Sequence, residues 1–141
     1  MSALSTGRAR AIVAARACLG TRFRHQGRLA GVGLDCVGLI AHVARTLKLS
    51  DYDYLHYGRL PHAGALQHHL GRAGLVPIAP ATALPGDVLL FRFDAAPQHV
   101  ALKTEHGMIH AFLLARRVVE HRIDDIWAVR LCAAYRFPGL D

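Results

Sequence analysis

At "LPGDVLLFRF", residues 84 to 93, the hydrophobic pattern changes its period, and no other feature constrains the fold of this chain as strongly. Upstream, apolar residues recur at helical spacing. Over residues 7 to 19, Ala9, Ile12, Val13 and Ala17 share one predicted face, arginines take the other, and Gly20 is placed to stop the helix. Over residues 34 to 47, Val37, Ile40, Val43, Ala44 and Leu47 repeat the pattern, and a short helix is expected at about residues 64 to 72, before Gly74. "SDYDYLHYGRLPH" has turn residues and aromatics without a period and reads as a surface loop. Downstream of Pro85 and Gly86 come "VLLFRF", "QHVALKT", "GMIHAF", "RRVVEHRI" and "LCAAYRF", all of strand length. Helices first and a strand meander after predict an α+β fold, with N-terminal helices packed on an antiparallel β-sheet. The 141 residues, 52% of them hydrophobic, suit a single domain over 1–141, with no internal repeat, low-complexity segment or linker.

The first twenty residues are interrupted by Arg8, Arg10 and Arg16, so neither a membrane span nor a secretory signal is written there, and a product that is cytoplasmic when made is expected. Cys18, Cys36 and Cys132 are odd in number and irregular in spacing, which speaks against a disulfide framework and against a CxxC-type zinc site. The net charge of +7 suits a polyanion. The arginines are scattered, however, and aromatic content is only 7%, so specific nucleic-acid binding is not expected.

"GVGLDCVGLI", residues 31 to 40, places Asp35 and Cys36 at the start of the second predicted helix. Unpaired N–H groups there favour an anion, which for a cysteine is the thiolate. Strand alternation in "QHVALKT" puts His99, Ala101 and Lys103 on one face, and "MIHAF" puts Met108, His110 and Phe112 on one face. A two-residue turn at Glu105 and His106 would set Ala101 opposite His110, making His99 and His110 diagonal neighbours. A turn at His106 and Gly107 would instead set His110 opposite Lys103. A thiol, an imidazole that takes and returns its proton, and a polar group that orients the imidazole are the parts of a cysteine nucleophile site. Spacing alone leaves Cys36 equally readable as a buried apolar residue and His110 as a satisfied core histidine.

"LDCVGLI", "LPGDVLLF", "QHVAL" and "MIHAF", in that order, resemble the blocks of the NlpC/P60 family of papain-like cysteine peptidases, over residues 11 to 113. "GTRFRHQGRLAGVGLDC" and "YRFPG" further resemble the small single-domain members found with phage tails and gene transfer agents. The resemblance implies Cys36 as nucleophile, His99 as general base and acid, and His110 as the residue that orients His99. It implies hydrolysis of peptidoglycan stem peptides, between D-γ-glutamate and a diamino acid such as diaminopimelate, with no cofactor and no metal. The implied partners are the stem peptide and phage-tail or gene-transfer-agent proteins, with a place in a virion or tail. Val37 stands where the family has Ser, Ala101 where it has Gly, and Phe23 where it often has a Tyr. Phe23 lacks the hydroxyl such a Tyr would offer, which leaves His25 and Gln26 as candidate donors, with the Asp35 backbone bordering the cleft.

Three other readings compete. One is a tail or assembly protein that keeps the fold and has weak or no activity. Another is a thiol acyltransferase or amidase of related fold. The third is a zinc protein using Cys36, His99, His110 or the His68-His69 pair. Asp87 in "PGDVLL" is expected to serve turn structure.

Overall fold

The computed structural model describes residues 4–58, 64–93 and 96–141. In chain order the elements are α1 (Thr6–Arg16), β1 (Arg28–Leu29), β2 (Gly33–Leu34), α2 (Cys36–Thr46), α3 (Ala65–Arg72), β3 (Val76–Ile78), a 3-10 turn (Pro80–Thr82), β4 (Val88–Phe93), β5 (Ala96–Lys103), β6 (Met108–Phe112), β7 (Arg117–His121), α4 (Asp125–Ala128) and β8 (Leu131–Arg136). Strands β3 to β8 form one antiparallel sheet in the order β3-β8-β4-β5-β6-β7, and β1 pairs with β2 in a separate small hairpin. This is the α+β architecture expected from the sequence.

Alternation along the strands divides the core. Val88, Leu90, Val100, Leu102, Ile109, Ala111 and Val118 face α1 and α2, whereas Leu89, Phe91, Ala101, Met108 and Ala134 pack with Trp127 of α4 on the other side. "VLLF" is apolar at every position because both faces of β4 are covered. Truncating Leu90 or Leu102 to Ala would cost about 2–5 kcal/mol, since neither has any exposed surface.

The β5–β6 register is the first of the two alternatives. Lys103 pairs with Met108 and Leu102 with Ile109, and Thr104 and Gly107 exchange backbone hydrogen bonds around Glu105 and His106. Gly107 has φ 146°, and a Cβ there would sit 2.1 Å from the His121 carbonyl oxygen, so this turn requires glycine to lie against the end of β7.

Two expectations need correction. The buried face of α1 consists of Arg8, Ala11, Ile12, Ala14 and Ala15, while Ala9 is exposed and Val13 is 68% exposed. Arg8 turns the helix: its guanidinium is buried between Asp87 (3.1 Å) and Asp141 (2.7 Å), so an arginine expected at the surface is part of the core. Secondly, part of the expected loop over residues 50 to 62 is drawn inward, with Tyr57 bonded to Asp35 at the start of α2 and Asp53 to Arg28 of β1; residues 59 to 62 of it lie outside the described residues. Asp87 closes the turn before β4 by accepting from the Leu84 N–H at 2.8 Å and pairing with Arg136 at 2.9 Å, the structural role expected of it. Among the described residues no helix is long and apolar enough to cross a membrane.

Candidate active site

Cys36 is the first residue of α2, and Asp35 caps that helix: one carboxylate oxygen accepts the Gly38 N–H at 2.7 Å. A Cβ on Gly38 would lie 1.9 Å from the Gly27 carbonyl oxygen, so "CVG" lets the preceding loop close on the helix start. Asp35 also accepts from the Gln26 N–H at 2.8 Å, from Arg28 Nη1 at 3.1 Å and from the Tyr57 hydroxyl at 2.5 Å. Arg28 in turn holds Asp53 with both carboxylate oxygens at 3.0 Å from Nε. A buried carboxylate therefore gathers four donors and ties a loop to the helix that carries the cysteine. Burial and the Asp35 bond push the Tyr57 hydroxyl up, so it remains a donor.

The start of α2 favours a thiolate, but the environment of Cys36 works against one. Burial first, and the Asp35 carboxylate second, push the thiol up to about 12. The N–H groups of Val100, Val37 and Cys36 favour the anion without offsetting these two effects. At rest Cys36 is a protonated thiol.

The histidines are set by the sheet. His99 lies on β5 and His110 on β6, and their Nε2 and Nδ1 atoms are 2.6 Å apart. Phe91, Phe93, Phe112 and Trp127 surround the pair, with Phe93 stacked on His99 at 5.2 Å and Phe112 stacked on His110 at 5.1 Å. Burial, reinforced by the neighbouring imidazoles, pushes His99 down to about 3 and His110 to about 2, so both rings are neutral.

The two halves approach at β5. Cys36 packs with the helix-side cluster and meets Val100, while the ring of His99, one residue earlier, stands among the aromatics of the other cluster. No hydrogen bond joins Cys36 to His99 among the described residues; catalytic bonds are often long before substrate binds. Val37 and Val100, on either side of the thiol, also line an apolar cavity of about 70 Å³ with Ile40, Leu66, Leu70 and Phe137.

Of the other expected residues, His25 sets its ring edge-on to Tyr57 at 5.6 Å, and Gln26 donates its side-chain amide to the Tyr57 carbonyl at 2.8 Å. Both belong to the loop system around Asp35. His69, proposed for zinc, bonds the Tyr52 hydroxyl at 2.7 Å, and no group of three or more His, Cys, Asp or Glu among the described residues could hold a metal ion. Sequence reasoning missed Tyr57, Trp127 and His121. Only His121 carried a readable signal, since alternation in "RVVEH" sets Arg117, Val119 and His121 on one face.

No family model matches this sequence, and no curated protein matches it. Solved structures do. The NlpC/P60 domain of the peptidoglycan hydrolase SagA aligns with TM-score 0.65 and 20% identity, over 92% of this chain and 98% of its own. An NlpC/P60 family protein from Bacillus cereus aligns with TM-score 0.70 and 21% identity, over 92% of this chain and 40% of its own. The peptidoglycan hydrolase RipB from Mycobacterium tuberculosis aligns with TM-score 0.66 and 19% identity, over 92% of this chain and 64% of its own. At such identities likeness is a statement about architecture: this chain has the fold of NlpC/P60 domains.

Proposed function

We propose that the protein is a cysteine peptidase that hydrolyses peptidoglycan stem peptides at the amide between D-γ-glutamate and a diamino acid, acting with a phage tail or gene transfer agent. Cys36 is its nucleophile, His99 its general base and acid, and His110 the residue that orients His99. The observation that carries this reading is the 2.6 Å bond between two buried neutral imidazoles on neighbouring strands, beside a helix-start cysteine. The fold shared with peptidoglycan hydrolases supports its substrate class.

In the reaction, His99 takes the thiol proton as Sγ attacks the amide carbon. The Cys36 backbone N–H meets the charge that develops on the carbonyl oxygen. His99 in its imidazolium form then protonates the departing amine as the C–N bond breaks, leaving a thioester on Cys36. Water, deprotonated by the same imidazole, hydrolyses the thioester and restores the thiol. A half-buried thiol and a neutral imidazole carry no charge at rest, and the charged pair forms only when the substrate completes the site.

The test is mass spectrometry of peptidoglycan fragments incubated with the wild-type protein and, in parallel, with Cys36→Ala. Stem peptides cut at the γ-glutamyl bond by the wild type alone are expected; several wall chemotypes left intact by both proteins would overturn the reading. One observation favours a second reading, a catalytically weak or inactive tail or assembly protein: the half-buried thiol lies beside a carboxylate and has no bond to His99. That reading expects Cys36 to resist alkylation near neutral pH even when stem peptide is present.

A further inference from the structure

The imidazole series continues past His110. His110 Nε2 lies 2.8 Å from His121 Nε2, and His121 Nδ1 lies 2.7 Å from the Arg122 carbonyl oxygen. The three rings step across neighbouring strands: β5 and β6 pair at Leu102 and Ile109, the residue before His110, and Met108 is opposite His121 in β6–β7. The Trp127 ring lies against all three, with centroids 5.7, 5.0 and 5.9 Å from His99, His110 and His121.

With His121 in its neutral form, one main-chain atom assigns every proton in this series. A carbonyl oxygen only accepts, so His121 Nδ1 carries a hydrogen and donates it to Arg122. In a neutral imidazole the other nitrogen then accepts, so His110 Nε2–H donates to His121 Nε2. His110 Nδ1 is left as an acceptor and takes the Nε2–H of His99. The lone pair that remains is on His99 Nδ1.

We infer that His121 is a positioning residue: anchored on the Arg122 carbonyl, it acts through His110 to hold His99 in the tautomer whose basic nitrogen is Nδ1, a role that rests on the peptidase reading of this site. The opposite tautomer would place a hydrogen where the Cys36 proton must go. Wrong-tautomer imidazoles are costly; in a Ser-His-Asp triad the loss is about 10⁴-fold in kcat. The backbone supports the arrangement, because the turn at Gly107 closes directly on the His121 carbonyl.

The experiment is a long-range proton–nitrogen correlation on the intact protein labelled with ¹⁵N in histidine, near neutral pH, for the wild type, His121→Leu and His121→Gln. The wild type should show Nε2–H for His99 and His110 and Nδ1–H for His121. His121→Leu should lose the single tautomer at His99 and lower kcat on stem peptide at least about tenfold with KM unchanged, while His121→Gln, whose side-chain oxygen can accept from His110, should restore both. An Nδ1–H tautomer at His99 in the wild type would overturn the inference, as would a His121→Leu variant with unchanged tautomers or unchanged kcat. The nitrogen spectra need no turnover, so they decide the positioning role even if no stem peptide is cleaved and the peptidase reading itself fails.

Discussion

The two sides of the candidate site are built on different principles. On the histidine side, regular strands hold His99, His110 and His121 in one series, each ring bonded to the next. On the cysteine side, irregular segments around Asp35 hold the start of α2, and the thiol itself ends up raised beside a carboxylate. The sheet side is ordered before substrate arrives. The helix side is anchored by Asp35, but no hydrogen bond joins the Cys36 thiol to His99 among the described residues. The difference shows that a strand register can align proton-transfer groups cheaply, because the ladder hydrogen bonds that fix the register are formed in any case.

The largest effect expected from this contrast is acid sensitivity on the histidine side. Buried imidazoles held below their ordinary value bind fewer protons folded than unfolded, so stability is present above pH 6.5 and is lost as pH falls toward the folded values. For His99 and His110 together the loss between pH 7 and pH 5 is about 4 kcal/mol, at about 1.4 kcal/mol per pH unit for each ring below pH 6.5. Urea unfolding at pH 7, 6 and 5 reads it; a flat profile would mean that the rings are open to protons. On the cysteine side, Asp35→Ala removes a helix cap and one of the two carboxylates that Arg28 pairs with, and should lower stability by about 3 kcal/mol in the same assay, with Asp35→Asn losing less. An equal loss for Ala and Asn would show that the hydrogen bonds to Asp35 contribute little. Tyr57→Phe deletes one bond to that carboxylate and should cost about 1–2 kcal/mol, with little change in the acid profile that His99 and His110 set. A Tyr57→Phe protein as stable as the wild type would show that the loop is held by Arg28 and Asp53 alone.

The same contrast explains what could be read from the sequence. Strand alternation in "QHVALKT" and "MIHAF", plus one choice between two turns, was enough to place His99 beside His110. Helical spacing placed Cys36 at the start of α2 and gave most of that helix's buried face. Tyr57 was not legible, because a loop without a period gives no direction to its side chains and only the Asp35 carboxylate selects it. Arg8 misled the reading of α1 for a related reason: its partners Asp87 and Asp141 are distant in sequence, and without them an arginine belongs on the surface. Trp127 sits on a four-residue helix, too short for a periodic signal. The resting state of Cys36 depends on burial, which the motif alone does not record.

Cys36 and the imidazole series are proposed to act as one site although they belong to different sides of the sheet. The most direct test is single-turnover hydrolysis of a γ-glutamyl stem peptide by the wild type, Cys36→Ala, His99→Ala and the double variant. Groups that act as a unit should lose about as much rate singly as together. The account therefore predicts that His99→Ala falls nearly to the level of Cys36→Ala and that the double variant falls no further. Substantial cleavage by His99→Ala, or losses that multiply in the double variant, would contradict it.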